Sequence, residues 1–208
     1  MGMLARFLDG TPPPPTRLWL TRAGPVENPQ GVLYSHPGRP LAPAGRAALA
    51  ALAARLEAVV HVYAPDSRAE AEAAQLLAER LGAPCTLEPA LRERAWGAWE
   101  GLDFATVRRR WPEHVERWKR DEAGFAPPGG ESLEDVRRRA RPVLEELLQR
   151  HDGEAVVLVG NCTVNRVALQ LVLPFLPLEQ GLRFEQNYAE LTELRFYGPD
   201  GVLARLNG

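Results

Sequence analysis

Short runs of β-branched and apolar residues alternate along this chain with Ala-rich stretches of helical spacing, and that alternation limits the fold more than any other feature. Residues 17–22 (Arg-Leu-Trp-Leu-Thr-Arg) read as a buried strand that runs into a loop at Ala23-Gly24-Pro25. Residues 28–43, rich in Pro and Gly, read as loop. Residues 44–58 read as a helix, and residues 59–63 (Val-Val-His-Val-Tyr) as a second strand. Ser67 precedes a helix over 68–81, and Gly82 is its stop. Residues 85–87 give a third strand and 155–159 a strongly apolar one. A helix over 163–173 ends before Pro174, and residues 191–197 and 202–206 form a hairpin turning at Gly198-Pro-Asp-Gly201. This order predicts an α/β fold, a three-layer sandwich with a mostly parallel central sheet and helices on both faces. Ligand sites in such sheets lie beyond the carboxyl ends of the strands, which directs attention to the loops at 22–24, 64–66 and 160–162.

Residues 89–130 differ in character. They hold Trp96, Trp99, Trp111 and Trp118 between charged stretches, and read as a small helical cap insert with a tryptophan core. Ser132 followed by Asp135 resembles a capping box, and a long helix over 133–150 follows. Residues 1–16 carry Pro12 to Pro15, which forbid a helix, and no signal-peptide apolar core; they read as a flexible lead-in to a single domain over 17–208. His61 falls inside a strand, while His114 and His151 are expected at the surface.

The formal net charge of -2 gives no basic field for a nucleic acid, and no apolar run has membrane-spanning length. Cys85 and Cys162 are far apart and make no metal spacing, so neither a metal nor another cofactor is expected, and a reduced, cytoplasmic setting is.

Six segments, in order, carry a resemblance. Leu20-Thr-Arg22-Ala23-Gly24 with Asn28 close behind is similar to the strand, Arg-His-Gly and following Asn that open the histidine phosphatase (phosphoglycerate-mutase-like) superfamily. Pro40-Leu-Ala-Pro-Ala-Gly45 resembles its Pro-Leu-Thr-x-x-Gly segment. Tyr63-Ala-Pro-Asp-Ser-Arg68-Ala resembles its Ser-Ser-x-x-x-Arg-Ala segment, one residue shorter. Leu91-Arg-Glu93 with Trp96-Gly-Ala-Trp-Glu-Gly101, then Pro127-Pro-Gly-Gly-Glu-Ser132, and finally Val157-Leu-Val-Gly160-Asn161 complete the set. Together they span about residues 17–197, nearly the whole chain.

The resemblance implies the same α/β fold with a cap and a site where a first His attacks phosphorus. A second His and two Arg spread the phosphoryl charge there, and an acid protonates the leaving oxygen. It places Arg22, Arg68 and Asn28 at phosphate-binding positions and Glu93 at the acid position. Ala23 and Asn161 fall where the two histidines are expected. A methyl group has no lone pair to attack with, and Asn161 keeps only a neutral hydrogen bond toward an oxygen. The expectation is therefore a catalytically inactive member that binds phosphate or a phosphorylated small molecule through Arg22, Arg68, Asn28 and Asn161. With the nucleophile gone, Glu93 is expected to pair with the arginines. Two alternatives stand beside it. One is an active phosphomonoesterase or mutase using His36 or Cys162 as a non-standard nucleophile, although Cys162 is first expected to be a buried, inert thiol. The other is an interaction protein with a vestigial pocket. The family implies a homodimer through sheet edges.

Overall fold

The computed structural model describes residues 14–24, 28, 30–35 and 40–208. Most of the proline-rich lead-in and His36 lie outside the described residues. Six strands form one sheet in the order β3-β2-β4-β1-β5-β6. They are β1 (Thr16–Arg22), β2 (Val59–Ala64), β3 (Cys85–Leu87), β4 (Ala155–Gly160), β5 (Thr192–Tyr197) and β6 (Asp200–Arg205). The first four run parallel, β5 runs antiparallel to β1, and β6 antiparallel to β5, so the sheet is mixed. The expected α/β architecture is present, with the antiparallel hairpin along one edge.

The centre is β4, whose sequence Ala-Val-Val-Leu-Val-Gly is buried at every position. A strand paired in parallel on both sides and covered on both faces has no polar face to offer, and a continuous apolar run is its signature. Successive side chains leave opposite faces. Val156 and Leu158 join Leu18 and Leu20 of β1 beneath the helices α5 (Leu133–Arg150) and α6 (Cys162–Val172). Val157 and Val159 join Trp19 on the other face, under α1 (Pro43–Ala53) and α2 (Arg68–Leu81). The strands β1, β2 and β4 thus feed two cores, and the three layers follow.

Element ends shift by a few residues for local reasons. Helix α1 stops at Ala53 rather than 58, and Ala58 takes a positive φ of 54° as the chain turns into β2. The β5–β6 turn is tighter than expected: β6 begins at Asp200, and Gly198 at φ 65° supplies the left-handed first turn position before Pro199. His151 is buried rather than exposed. Its Nε2 pairs with the Tyr63 hydroxyl at 2.8 Å and its Nδ1 with Glu154 at 2.8 Å, which satisfies both ring nitrogens under the sheet.

The segment 89–130 holds two short helices, α3 (Phe104–Arg110) and α4 (Pro112–Arg120). Trp99, Val107, Phe125 and Leu33 make its buried core, with Trp96, Trp111 and Trp118 packed against it. Arg94 fastens this cluster to the body. Its guanidinium is buried, donates to the carbonyls of Phe125 and Glu131 at 2.6 Å each, and lies over the Trp96 ring. Among the described residues no helix is long and apolar enough to cross a membrane.

The capping box at α5 forms in full. Asp135 N donates to Ser132 Oγ at 3.0 Å and Ser132 N donates to Asp135 Oδ2 at 2.9 Å. Removing the hydroxyl in Ser132→Ala leaves a buried helix end short of an acceptor, and is expected to lower unfolding free energy by about 1 kcal/mol in urea denaturation. An unchanged midpoint would mean that water replaces the cap fully.

Candidate functional site

The carboxyl edges of β1, β2 and β4 converge on a small open-mouthed cavity of about 100 Å³. From β1 come Arg22, Ala23 and Gly24. From the start of α2 come Ser67, Arg68 and Glu70, and from the end of β4 come Gly160, Asn161 and Cys162. Glu93 enters from the segment after β3, Tyr34 and Ser35 from the loop after β1, and Tyr188 from the segment before β5. Two helices, α2 and α6, present their N-terminal turns here, and their dipoles favour an anion, although at α6 the Thr163 and Val164 N–H groups are already taken by Glu93 and Asn161.

Two glycine contacts set the backbone. A Cβ on Gly24 would collide with the Cα of Gly45, so the loop leaving β1 rests directly on the first turn of α1. A Cβ on Gly160 would collide with Asn165 Oδ1, which lets α6 start immediately at the end of β4.

Arg22 faces Gly160 across the β1–β4 pairing. Its Nη1 donates to the Gln186 carbonyl at 3.0 Å and its guanidinium lies 3.9 Å from the centroid of the Tyr188 ring, an arrangement that fixes the fork in place. Arg68 lines the same cavity, but its side chain is 56% exposed and its Nε donates to Glu72 Oε1 at 3.1 Å along α2. It is the looser of the pair. Ala23 is buried and lines the cavity between Arg22 and Gly24.

Asn161 is the N-cap of α6. Its Oδ1 accepts from Val164 N at 2.9 Å and its Nδ2 donates to the Leu91 carbonyl at 2.9 Å, so its amide is already engaged where it lines the cavity. Glu93 sits against the same helix start, accepting from Thr163 N at 3.2 Å and from Arg94 N at 2.6 Å. Among the described residues it makes no ion pair with Arg22 or Arg68, contrary to expectation: backbone N–H groups take its charge instead. Asn28 does not line the cavity. It closes its own turn, with Nδ2 donating to the Val32 carbonyl at 3.0 Å and Oδ1 accepting from Val32 N at 3.2 Å. Cys162, expected to be buried and inert, is half-buried and lines the cavity.

The motifs did not point to Glu70. It is half-buried on the first turn of α2, and burial together with the Glu93 carboxylate pushes its pKa up to about 7, with its own backbone N–H and Arg22 opposing the shift. Burial and the neighbouring Tyr188 also hold the Tyr34 phenol well above its ordinary range. Position alone gave the available signal for Glu70: it stands two residues beyond Arg68 in the Arg-Ala-x segment. Tyr188 comes from an irregular stretch with no motif at all. Among the described residues no group of three or more His, Cys, Asp and Glu is placed to hold a metal ion.

Residues 18–208 match the family model of the histidine phosphatase superfamily, branch 1, and the chain belongs to that family. A bifunctional protein of Mycobacterium tuberculosis is 34% identical over 199 residues, covering 92% of this chain and 53% of its own length, so the chain spans about half of that relative. The solved structure of mycobacterial glucosyl-3-phosphoglycerate phosphatase superposes with a TM-score of 0.80 at 27% identity, covering 93% of this chain and 99% of that one. The same phosphatase in complex with inorganic phosphate superposes with a TM-score of 0.76 at 25% identity, covering 93% and 97%.

Because the Glu70 pKa is raised on folding, the folded protein holds that proton more tightly than the unfolded chain does. The stability this provides is fully present below the ordinary carboxylate range and is lost as pH rises from about 4.5 through about 7. Glu70→Gln, which cannot ionise, is expected to match the parent melting temperature near pH 5 and to exceed it by a few degrees at pH 8. A difference that does not change with pH would show that Glu70 is not the buried acid.

Proposed function

We propose that this chain holds a phosphorylated small molecule at the carboxyl edge of its sheet and does not turn it over at a catalyst's rate. The observation that carries the reading is the adjacency of Arg22 and Ala23 at the end of β1: a braced guanidinium fork beside a methyl group. A guanidinium presents parallel N–H groups that match phosphate oxygens, and the two helix starts add fixed positive potential. Covalent phosphoryl transfer needs a lone pair beside phosphorus. By the family resemblance Ala23 stands at that place, and Asn161 stands where the second histidine would be. Asn161 is also committed to capping α6, which makes it a structural replacement. Loss of a nucleophile that acts as part of a unit lowers turnover by roughly 10⁶-fold. The phosphatase relatives support the phosphate half of the reading.

The test is hydrolysis of an aryl phosphate by the parent, the Ala23→His/Asn161→His double variant and Arg22→Ala, with thermal shift by inorganic phosphate measured alongside. The parent is expected to be silent and stabilised by phosphate. The double variant should gain turnover, and Arg22→Ala should lose the phosphate shift. Turnover by the parent that depends on Arg22 would overturn the inactive reading. No phosphate shift would leave only a vestigial pocket.

A second reading rests on the place of Cys162, which lines the cavity as the first residue of α6 with Arg166 Nη2 3.5 Å from its Sγ. Under it, a thiolate attacks phosphorus, the leaving oxygen takes a proton from a cavity carboxylic acid, and water then hydrolyses the thiophosphate. Parent turnover abolished in Cys162→Ser would establish this route; turnover retained in Cys162→Ser, or absent from the parent, would remove it.

A further inference from the structure

Cys162 stands on the boundary between two recesses. It lines the cavity described above, and also a neighbouring groove that shares Arg22 and Tyr188 with that cavity and continues along residues 181–187. The thiol is half-buried, so a small solute in either recess can reach it. It is the first residue of α6, one position past the Asn161 cap, where the helix dipole favours negative charge. A cysteine at a helix start is commonplace on its own. The side chain one turn further on makes this one different.

Arg166 lies on the inner side of α6 and is 8% exposed. Its stem packs on Gly181, where a Cβ would meet it at 2.9 Å. Among the described residues its guanidinium makes no ion pair, and its one hydrogen bond runs from Nη2 to the Cys162 Sγ at 3.5 Å. A neutral thiol is a weak acceptor for a group with five donors and a full charge. Arg94, its neighbour in the interior, feels it as a like charge. The other charged residues lining the groove are Arg22, Arg183 and Glu185, and Arg183 is bonded through its Nε to the neutral Gln180. A nearly buried cation whose only partner is a sulfur atom is a donor set that oxygen atoms on that sulfur would satisfy.

Reactive cysteines are partly exposed thiols at helix starts and beside cations, whereas structural ones sit in apolar surroundings. Both kinds occur in this chain. Cys85 packs against the apolar core beneath α2, burial pushes its thiol up, and the residues lining the recess beside it include no cation. It pairs with Val62, which pairs with Val157 of β4. Two strand spacings, about 10 Å, therefore separate it from β4, and Cys162 lies beyond the end of that strand. A disulfide needs Cα atoms within about 7 Å, so Cys85 does not reach Cys162.

We propose that Cys162 is an oxidative modification site: hydrogen peroxide converts its thiol to a sulfenic acid, Arg166 holds it as the sulfenate, and the added oxygen closes the cavity to phosphate. The sulfur attacks one peroxide oxygen as the O–O bond breaks and an S–O bond forms. Sulfur gives two electrons to the peroxide, the released hydroxide takes the thiol proton and leaves as water, and the sulfenic proton passes to solvent. The closing of the cavity rests on the phosphate reading above; the oxidation does not.

The test treats the reduced, folded full chain with hydrogen peroxide in the presence of dimedone, which caps sulfenic acids, and reads the two cysteines separately by peptide mass spectrometry. Cys162 is expected to be labelled about tenfold faster than Cys85, the effect of one charge-assisted hydrogen bond on a rate. Unfolding in urea should bring the two rates together. Arg166→Gln, or Arg166→Met should the first not fold, is expected to remove most of the difference, and Arg166→Lys, which keeps a cation, to retain part of it. Equal rates in the folded parent overturn the proposal, and so does a difference that survives loss of the Arg166 charge in a chain that still melts cooperatively. Thermal shift by inorganic phosphate then reads the consequence. Peroxide-treated parent is expected to lose the shift and to regain it after dithiothreitol. A shift that persists on protein oxidised at Cys162 overturns the closing of the cavity and leaves the phosphate reading standing. No shift from the reduced protein overturns the phosphate reading and the closing with it, and leaves the oxidation to the labelling rates.

Discussion

The burial of β4 decides where everything else can be. Its six residues have no exposed face, so it must lie between two parallel strands and under helices on both sides. The parallel pairings bring the carboxyl ends of β1, β2 and β4 to one edge, and the helices that follow β2 and β4 then begin at that edge. Arg22, Ser67 and Asn161 meet there because of chain direction, before any attraction between them counts. The polar cavity is in this sense a by-product of an apolar strand.

The local charge balance follows from the same placement. Arg22 and Arg68 are opposed by Glu70 and Glu93, so the cavity is not simply cationic. Each acid is managed differently. Glu93 takes two backbone N–H groups. Glu70 has weaker compensation and is pushed toward the neutral form near physiological pH. On the phosphate reading proposed above, a neutral Glu70 removes one of the two charges that oppose the arginines.

Much of this was legible in the sequence, because it depends on periodicity and short-range chemistry. The apolar run of β4, the Ser132–Asp135 cap and the tryptophan cluster each declare themselves within a few residues. Arg22, Arg68, Ala23, Asn161 and Glu93 were placed through ordered motifs, and all five line the cavity. What could not be read depends on which way a side chain turns. Asn28 has the right spacing from Arg22, yet its amide finds a nearer partner in the backbone of Val32. His151 looked exposed after a charged helix, but the hydroxyl that buries it belongs to Tyr63, 88 residues away. Tyr188 and Arg183 reach their places through an irregular segment with no period to read. Glu70 was hidden because an acid on a helix surface is so ordinary; its neighbours make it unusual.

The contact of Gly24 with Gly45 has a consequence for how the site is held. Two residues without side chains hold the loop beside Ala23 at a fixed height above α1. That spacing depends on nothing the cavity does to a ligand. The backbone that presents residue 23 is thus held by a contact in which the side chain of residue 23 takes no part. The shape of the loop and the chemistry of the side chain it carries are therefore set by different atoms.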